Sequence, residues 1–150
     1  MRSAWPGNKP ISVRISAHDW VHGGTTPHDA VAIAKAFKMA GADMMDCSSG
    51  QVSPLQQPVY GRVYQTPLSD QIRHAASIST IAVGAISDAD QVNGILAAGR
   101  ADLCAIGRPH LTHPAWTLEQ AARMGYDQVA WPPSYRSGQA WAQHYFQANR

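Results

Sequence analysis

Between Thr80 and Leu111 the chain reads TIAVGAISDADQVNGILAAGRADLCAIGRPHL, two short apolar runs that each stop at a glycine. Ile81-Ala82-Val83 ends at Gly84, and Leu103-Cys104-Ala105-Ile106 ends at Gly107, with Arg108 following. Between them lies one helix-length segment: Ser87-Asp88-Ala89-Asp90 opens it, Val92, Ile95 and Leu96 are its apolar residues, and Gly99 closes it. Short apolar runs separated by a helix read as two parallel strands of a βαβ unit. A glycine just past a strand end lets a ligand approach the backbone and leaves N–H groups free to point at it. Two such ends, one carrying an arginine, suit a phosphate.

The pattern continues upstream. A strand is expected over Ile78–Val83, preceded by a helix opened by Thr66-Pro67 with Leu68, Ile72 and Ala76 facing inward. Gln51 to Gln65, with Pro54 and Pro58, is a long loop of the kind that carries function. Ala42–Cys47 is a strand ending in the polar turn Ser48-Ser49-Gly50. Before it, Thr26 caps a helix with Pro27 first, Asp29 in the first turn, an Ala30, Ile33, Ala34 and Phe37 stripe, and Gly41 as its stop. The first strand runs Ile11–Ser16, with Arg14 on the face opposite Val13 and Ile15. A lone charge in a parallel strand is costly without a partner, and Asp46 is a candidate for one. Downstream, Pro114 opens a helix that stops at Gly125, and Trp131-Pro132-Pro133 leads to an amphipathic segment reaching about Asn149. Gly41 and Gly99, in matching helix-to-strand joints, are 58 residues apart, or two repeats of about 29, the size of a βα unit. Four parallel βα units are expected.

Composition bounds the class. The 150 residues are 45% hydrophobic and 15% charged, a globular composition of about one domain. A net charge of +2 gives no footing for nucleic acid or an anionic membrane surface. No apolar run is long enough to span a bilayer and no signal pattern follows Met1, so a cytoplasmic chain with reduced Cys47 and Cys104 is expected. The opening Met1-Arg2-Ser3-Ala4-Trp5-Pro6 has no cap and reads as the tail of an earlier helix, so the chain is expected to begin inside a larger fold. Four units suit either half of an eight-stranded barrel, which needs about 250 residues, or an open doubly wound sheet.

Five motifs in order weigh on that choice: Val13-Arg14-Ile15-Ser16-Ala17, Asp46-Cys47-Ser48-Ser49-Gly50, Ala82-Val83-Gly84, Gly99-Arg100-Ala101-Asp102 and Ile106-Gly107-Arg108. Together they resemble the C-terminal half of an old yellow enzyme, the NADH:flavin oxidoreductase family, and within it the resemblance is closer to the bacterial thermophilic-like branch. Through Ser16-Ala17-His18-Asp19-Trp20 and Gln65-Thr66-Pro67 the chain most resembles the oxidoreductase-like region of salicylyl-CoA 5-hydroxylase-type fusions. The resemblance implies an α/β fold of the (β/α)8 TIM-barrel type, with residues 1–137 holding strands five to eight and 138–150 a helical extension. It implies FMN as cofactor, NAD(P)H as reductant and an electron-poor alkene or similar small molecule as acceptor. On Arg14 it places the cation beside the flavin pyrimidine ring, and on Gly84, Gly107 and Arg108 the phosphate cradle. It implies an upstream half-barrel or domain as partner and an oligomer, with no nucleic acid and no membrane. The family's His/His or His/Asn substrate anchors and tyrosine proton donor belong to the first four strands, so the chain alone is expected to be inactive. Arg136 stands one position from a family arginine that reaches a neighbouring subunit, and the 138–150 tail has no assigned counterpart.

Other readings stand beside these. The glycines could serve turn geometry alone, and Arg14 could serve a salt bridge to Asp46. His18 with His22, and His110 with His113, lack further ligands for a metal. Cys47 is either a thiol activated by a nearby arginine or a small buried hydrophobe. Ser48 lies in no Gly-x-Ser-x-Gly elbow. A scaffold half-barrel and a phosphosugar isomerase or lyase half-barrel are the competing functions, and the in-strand Arg14 speaks against the latter.

Overall fold

A computed structural model describes residues 2–148 of the chain. They form two compact units, one running to Ile106 and one beginning at Gly107. The first carries the strands β1 (Ser12–Ser16), β2 (Met44–Ser48), β3 (Ser79–Val83) and β4 (Leu103–Ala105). The helices α1 (Pro27–Met39), α2 (Thr66–Ala76) and α3 (Ala89–Ala97) connect them. The sheet is wholly parallel and its spatial order β1-β2-β3-β4 is the order of the sequence, with no reversal. The four expected strands are present, each within a residue or two of its expected bounds.

Local chemistry explains the starts of α1 and α3. At α1 the Thr26 hydroxyl accepts from the Asp29 N–H while Asp29 accepts from the Thr26 N–H, and Pro27 occupies the first turn. Asp88 caps α3 in the same manner, accepting from the Gln91 N–H. At α2 the expectation fails. Thr66 is not a cap but the first helical residue, fully buried, with Gln65 at the cap position and no side-chain capping bond. Phe37 is also more exposed than expected, and Val31 takes its place in the core with Ala30 and Ala34.

The internal repeat has a physical basis at the N-terminal ends of the strands. Asp43 accepts from the Ile11 N–H at 2.7 Å, and Asp102 accepts from the Thr80 N–H at 2.9 Å. Each carboxylate is paired with an arginine that also donates to the carbonyl of the preceding helix-stop glycine: Arg2 serves Asp43 and Gly41, and Arg73 serves Asp102 and Gly99. Both glycines have positive φ, +92° and +66°, which aims their carbonyls at the guanidinium. The same staple thus joins β1 to β2 and β3 to β4.

The second unit begins with a short helix that the sequence pattern did not announce, α4 (Arg108–Thr112), and continues with α5 (Trp116–Met124) and α6 (Arg136–Ala148). Gly125, at φ +72°, ends α5 as expected. α5 packs on α6, burying Ala121, Ala122 and Ala142, with Arg123 over the Phe146 ring at 4.3 Å. The expected end of the last helix at Asn149 lies outside the described residues.

Candidate functional site

Strand alternation gives the sheet two unlike faces. Val13, Ile15, Met45, Cys47 and Ala82 point toward the helices and pack with Ala30, Ala34, Leu68, Ile72 and Ile95 in two apolar clusters. The alternate positions, Ser12, Arg14, Ser16, Met44, Asp46, Ser48, Ser79, Ile81, Val83, Leu103 and Ala105, make up the other face, and none of them is buried. Parallel strands are ordinarily covered on both faces. Here the second face is open, and polar on β1 and β2.

Arg14 stands on that open face in register with Asp46 of the next strand. Its Nη1 donates to Asp46 Oδ2 and its Nη2 to Ser48 Oγ, each at 3.0 Å. The ion pair weighed from sequence is therefore formed, yet the Arg14 side chain remains 57% exposed. Ser48 lies two residues beyond Asp46, so the guanidinium leans toward the C-terminal ends of the strands.

At those ends the backbone is held in unusual shapes. Among the described residues Trp20, Gln51, Val63 and Ala85, all in loops that follow strands, have positive φ without being glycine, as does Ser77 at the end of α2. Such conformations cost of order 1–3 kcal/mol each and persist where surroundings enforce them. Gly84 has φ +106°, and a Cβ built there would stand 2.1 Å from Gln65 Nε2. Gln65 is 3% exposed; its Nε2 donates to the Val83 carbonyl at 2.8 Å and its Oε1 accepts from Ser49 Oγ at 2.5 Å. It ties the ends of β2 and β3 beneath Gly84. Sequence reasoning missed this residue as part of the site; its place just before a Thr-Pro helix start was the available signal.

Gly107 and Arg108 belong to the second unit, where Gly107 precedes α4 with open space at its Cα and Arg108 is exposed. Among the described residues no group of His, Cys, Asp and Glu is placed to hold a metal ion, and no helix is long and apolar enough to cross a membrane.

Comparison with known proteins gives this arrangement a context. A family model described as NADH:flavin oxidoreductase / NADH oxidase matches residues 4–125. The chain belongs to that family. It is 42% identical over 135 residues to the NADPH dehydrogenase of Halalkalibacterium halodurans, covering 90% of this chain and 39% of the relative. It is 38% identical over 141 residues to that of Listeria innocua, covering 94% and 40%. With the Geobacillus thermodenitrificans NADPH dehydrogenase it shares 40% identity over 138 residues, covering 92% and 39%. The chain thus spans about two fifths of the length of the curated relatives it matches.

In this member of the NADH:flavin oxidoreductase family the thiol near the end of β2 is packed in the apolar cluster as a small hydrophobe. Cys47 is fully buried, and burial pushes its pKa up to about 12, with the Asp46 charge adding to the effect. Asp19, just past β1, is buried too. Burial alone would raise its pKa, but the Ser16 hydroxyl at 2.7 Å and the Thr25 N–H at 2.7 Å prevail and hold it below the usual carboxylate range. Asp19 therefore organises the rim after β1 as a fixed anion.

Proposed function

We propose that the chain is the FMN-binding part of an NAD(P)H-dependent oxidoreductase, the C-terminal half of a (β/α)8 barrel, with residues 1–137 forming that half and 138–150 a helical extension. Three features support the half-barrel. The strand order is sequential with no reversal, the helices cover one face only, and β1 and β4 each pair on one side. An open doubly wound sheet would reverse its order and cover both faces. The relatives' remaining length leaves room for the other half as partner.

Each unit by itself carries residues of the kind that a flavin nucleotide needs. Gly84 sits where any side chain would strike Gln65, so the backbone at that strand end is held without a side chain, the form a phosphate-binding N–H would need. Arg108 is exposed and free to pair two phosphate oxygens, with Gly107 as the bare backbone before it. Arg14 presents a fixed positive charge from the open face, suited to the electron-rich pyrimidine end of the ring. When bound, FMN would take electrons from NAD(P)H and pass them to an electron-poor alkene or similar acceptor. This chain would bind and orient the nucleotide, and Arg14 would tune it. The observation that carries the reading is a half-exposed arginine, held by two hydrogen bonds, on an uncovered sheet face.

The test is FMN binding by the 150-residue chain, alone and co-expressed with the segment of the Halalkalibacterium relative that precedes the matched region. A yellow complex is expected in the assembled form. Arg108→Ala should weaken FMN retention by about 1.5–3 kcal/mol through the lost charge-assisted contact. A colourless assembly, or unchanged affinity in the variant, would overturn the reading or remove Arg108 from it, respectively.

A further inference from the structure

We propose that Asp46 and Ser48 are positioning residues for Arg14: they fix where its guanidinium points, and Asp46 sets how much of its charge reaches a ligand on the open face. The inference rests on the flavin reading of Arg14 and adds two residues to it. The two terminal nitrogens have different partners, Nη1 on Asp46 Oδ2 and Nη2 on Ser48 Oγ. That leaves three of the five guanidinium donors for a ligand. An arginine already ordered loses less conformational freedom when a ligand arrives.

Asp46 is more than an anchor. Its side chain is 17% exposed, and its Oδ1 is buried with no hydrogen-bond partner among the described residues. Removing Arg14 would strand this carboxylate, and breaking one side of such a pair is destabilising in itself. Arg14→Met alone therefore mixes two effects. Asp46→Asn keeps a carbonyl acceptor for Nη1 and deletes the negative charge. Ser48→Ala deletes the second anchor and changes no charge.

The experiment loads the chain with FMN, in the assembly described above, and measures affinity by quenching of flavin fluorescence and midpoint potential by dye-coupled titration. Urea unfolding of each variant reports its fold. In Asp46→Asn the unshielded Arg14 should raise the potential, shifting the ratio of affinities for reduced over oxidised FMN by about twofold or more. Ser48→Ala should weaken FMN binding several-fold without raising the potential. In Arg14→Met/Asp46→Asn the upward shift should vanish. A merely structural role would move the urea midpoint and leave the potential where it was. If FMN binds and Arg14→Met lowers the potential while Asp46→Asn and Ser48→Ala match the parent, the positioning role is overturned and the flavin role of Arg14 stands. If FMN does not bind, or Arg14→Met leaves the potential unmoved, the flavin reading fails and takes this one with it. Should Asp46→Asn fail to fold, Ser48→Ala decides the outcome by its affinity.

Discussion

Two glycines show how little can be inferred from the residue type alone. Gly84 and Gly94 lie ten positions apart in the same unit, and their demands are opposite. Gly84 has φ +106° and no room for a Cβ, which would meet Gln65 Nε2 at 2.1 Å. Gly94 lies inside α3 with nothing within 4 Å of an added Cβ. Gly84→Ala should therefore destabilise the chain by about 1–3 kcal/mol, through backbone strain and a displaced Gln65. Gly94→Ala should stabilise it by about 0.5–1 kcal/mol, because alanine costs less entropy in a helix. Urea denaturation of the two variants beside the parent checks both signs. A Gly84→Ala variant as stable as the parent would mean that the Gln65 tie between β2 and β3 is not holding this backbone.

At the scale of elements, carboxylates hold the strands and helices in place, and they give the fold its pH dependence. Asp102 lies below the usual carboxylate range chiefly because Arg73 donates to it, and Asp43 chiefly because the Ile11 N–H does. At the α1 cap the Thr26 hydroxyl does the same for Asp29. A carboxylate whose folded pKa is depressed contributes stability that is fully present above its unfolded value, about 3.9, and is lost as pH falls through the folded value. The contribution of these three carboxylates should thus be complete above about pH 6 and fade steadily below about pH 4. Asp102→Asn should flatten part of that acid limb and also weaken the chain at neutral pH, since it loosens the β3–β4 staple to Arg73 and the Thr80 N–H. Urea midpoints at pH 7 and pH 3 for parent and variant are the measurement. An acid limb of equal depth in both would place the titrating groups elsewhere.

For the whole molecule the open face and the sheet edges dominate. β1 and β4 each pair with one neighbour, so each offers a row of backbone N–H and C=O groups to a partner strand. Leu103 on β4 is 51% exposed, and Ile81 and Met44 on the same face are only partly covered. A groove of about 380 Å³ runs beside β1, lined by Ile11, Val13, Arg14 and, at the end of α1, Phe37 and Ala40. The isolated chain is therefore expected to self-associate, as a two-fold pair of half-barrels or as aggregate, and to show negligible NAD(P)H oxidation. Size-exclusion chromatography with light scattering, with and without FMN, tests this. A stable monomer that turns over NADH with bound FMN would overturn the half-barrel and favour a complete four-stranded flavin domain.

Periodicity and punctuation in the sequence determined the four strands, their parallel direction and the helices between them, because those signals are local. Alternating apolar residues, Thr-Pro and Asp starts, and glycine stops act within a few positions of themselves. The 58-residue echo between Gly41 and Gly99 was legible for the same reason. Arg14 stood out as a charge within a strand, and its pairing with Asp46 could be named as one option. Only the tertiary structure decided that option, because register between strands 32 residues apart is set by packing. It alone found Gln65 beneath Gly84, Thr66 buried rather than capping, and the arginine staples at Asp43 and Asp102. Each of these depends on which side chains a parallel sheet brings together from distant positions. It also showed that one sheet face is covered and the other is not, which follows from where the helices pack and from no single stretch of residues.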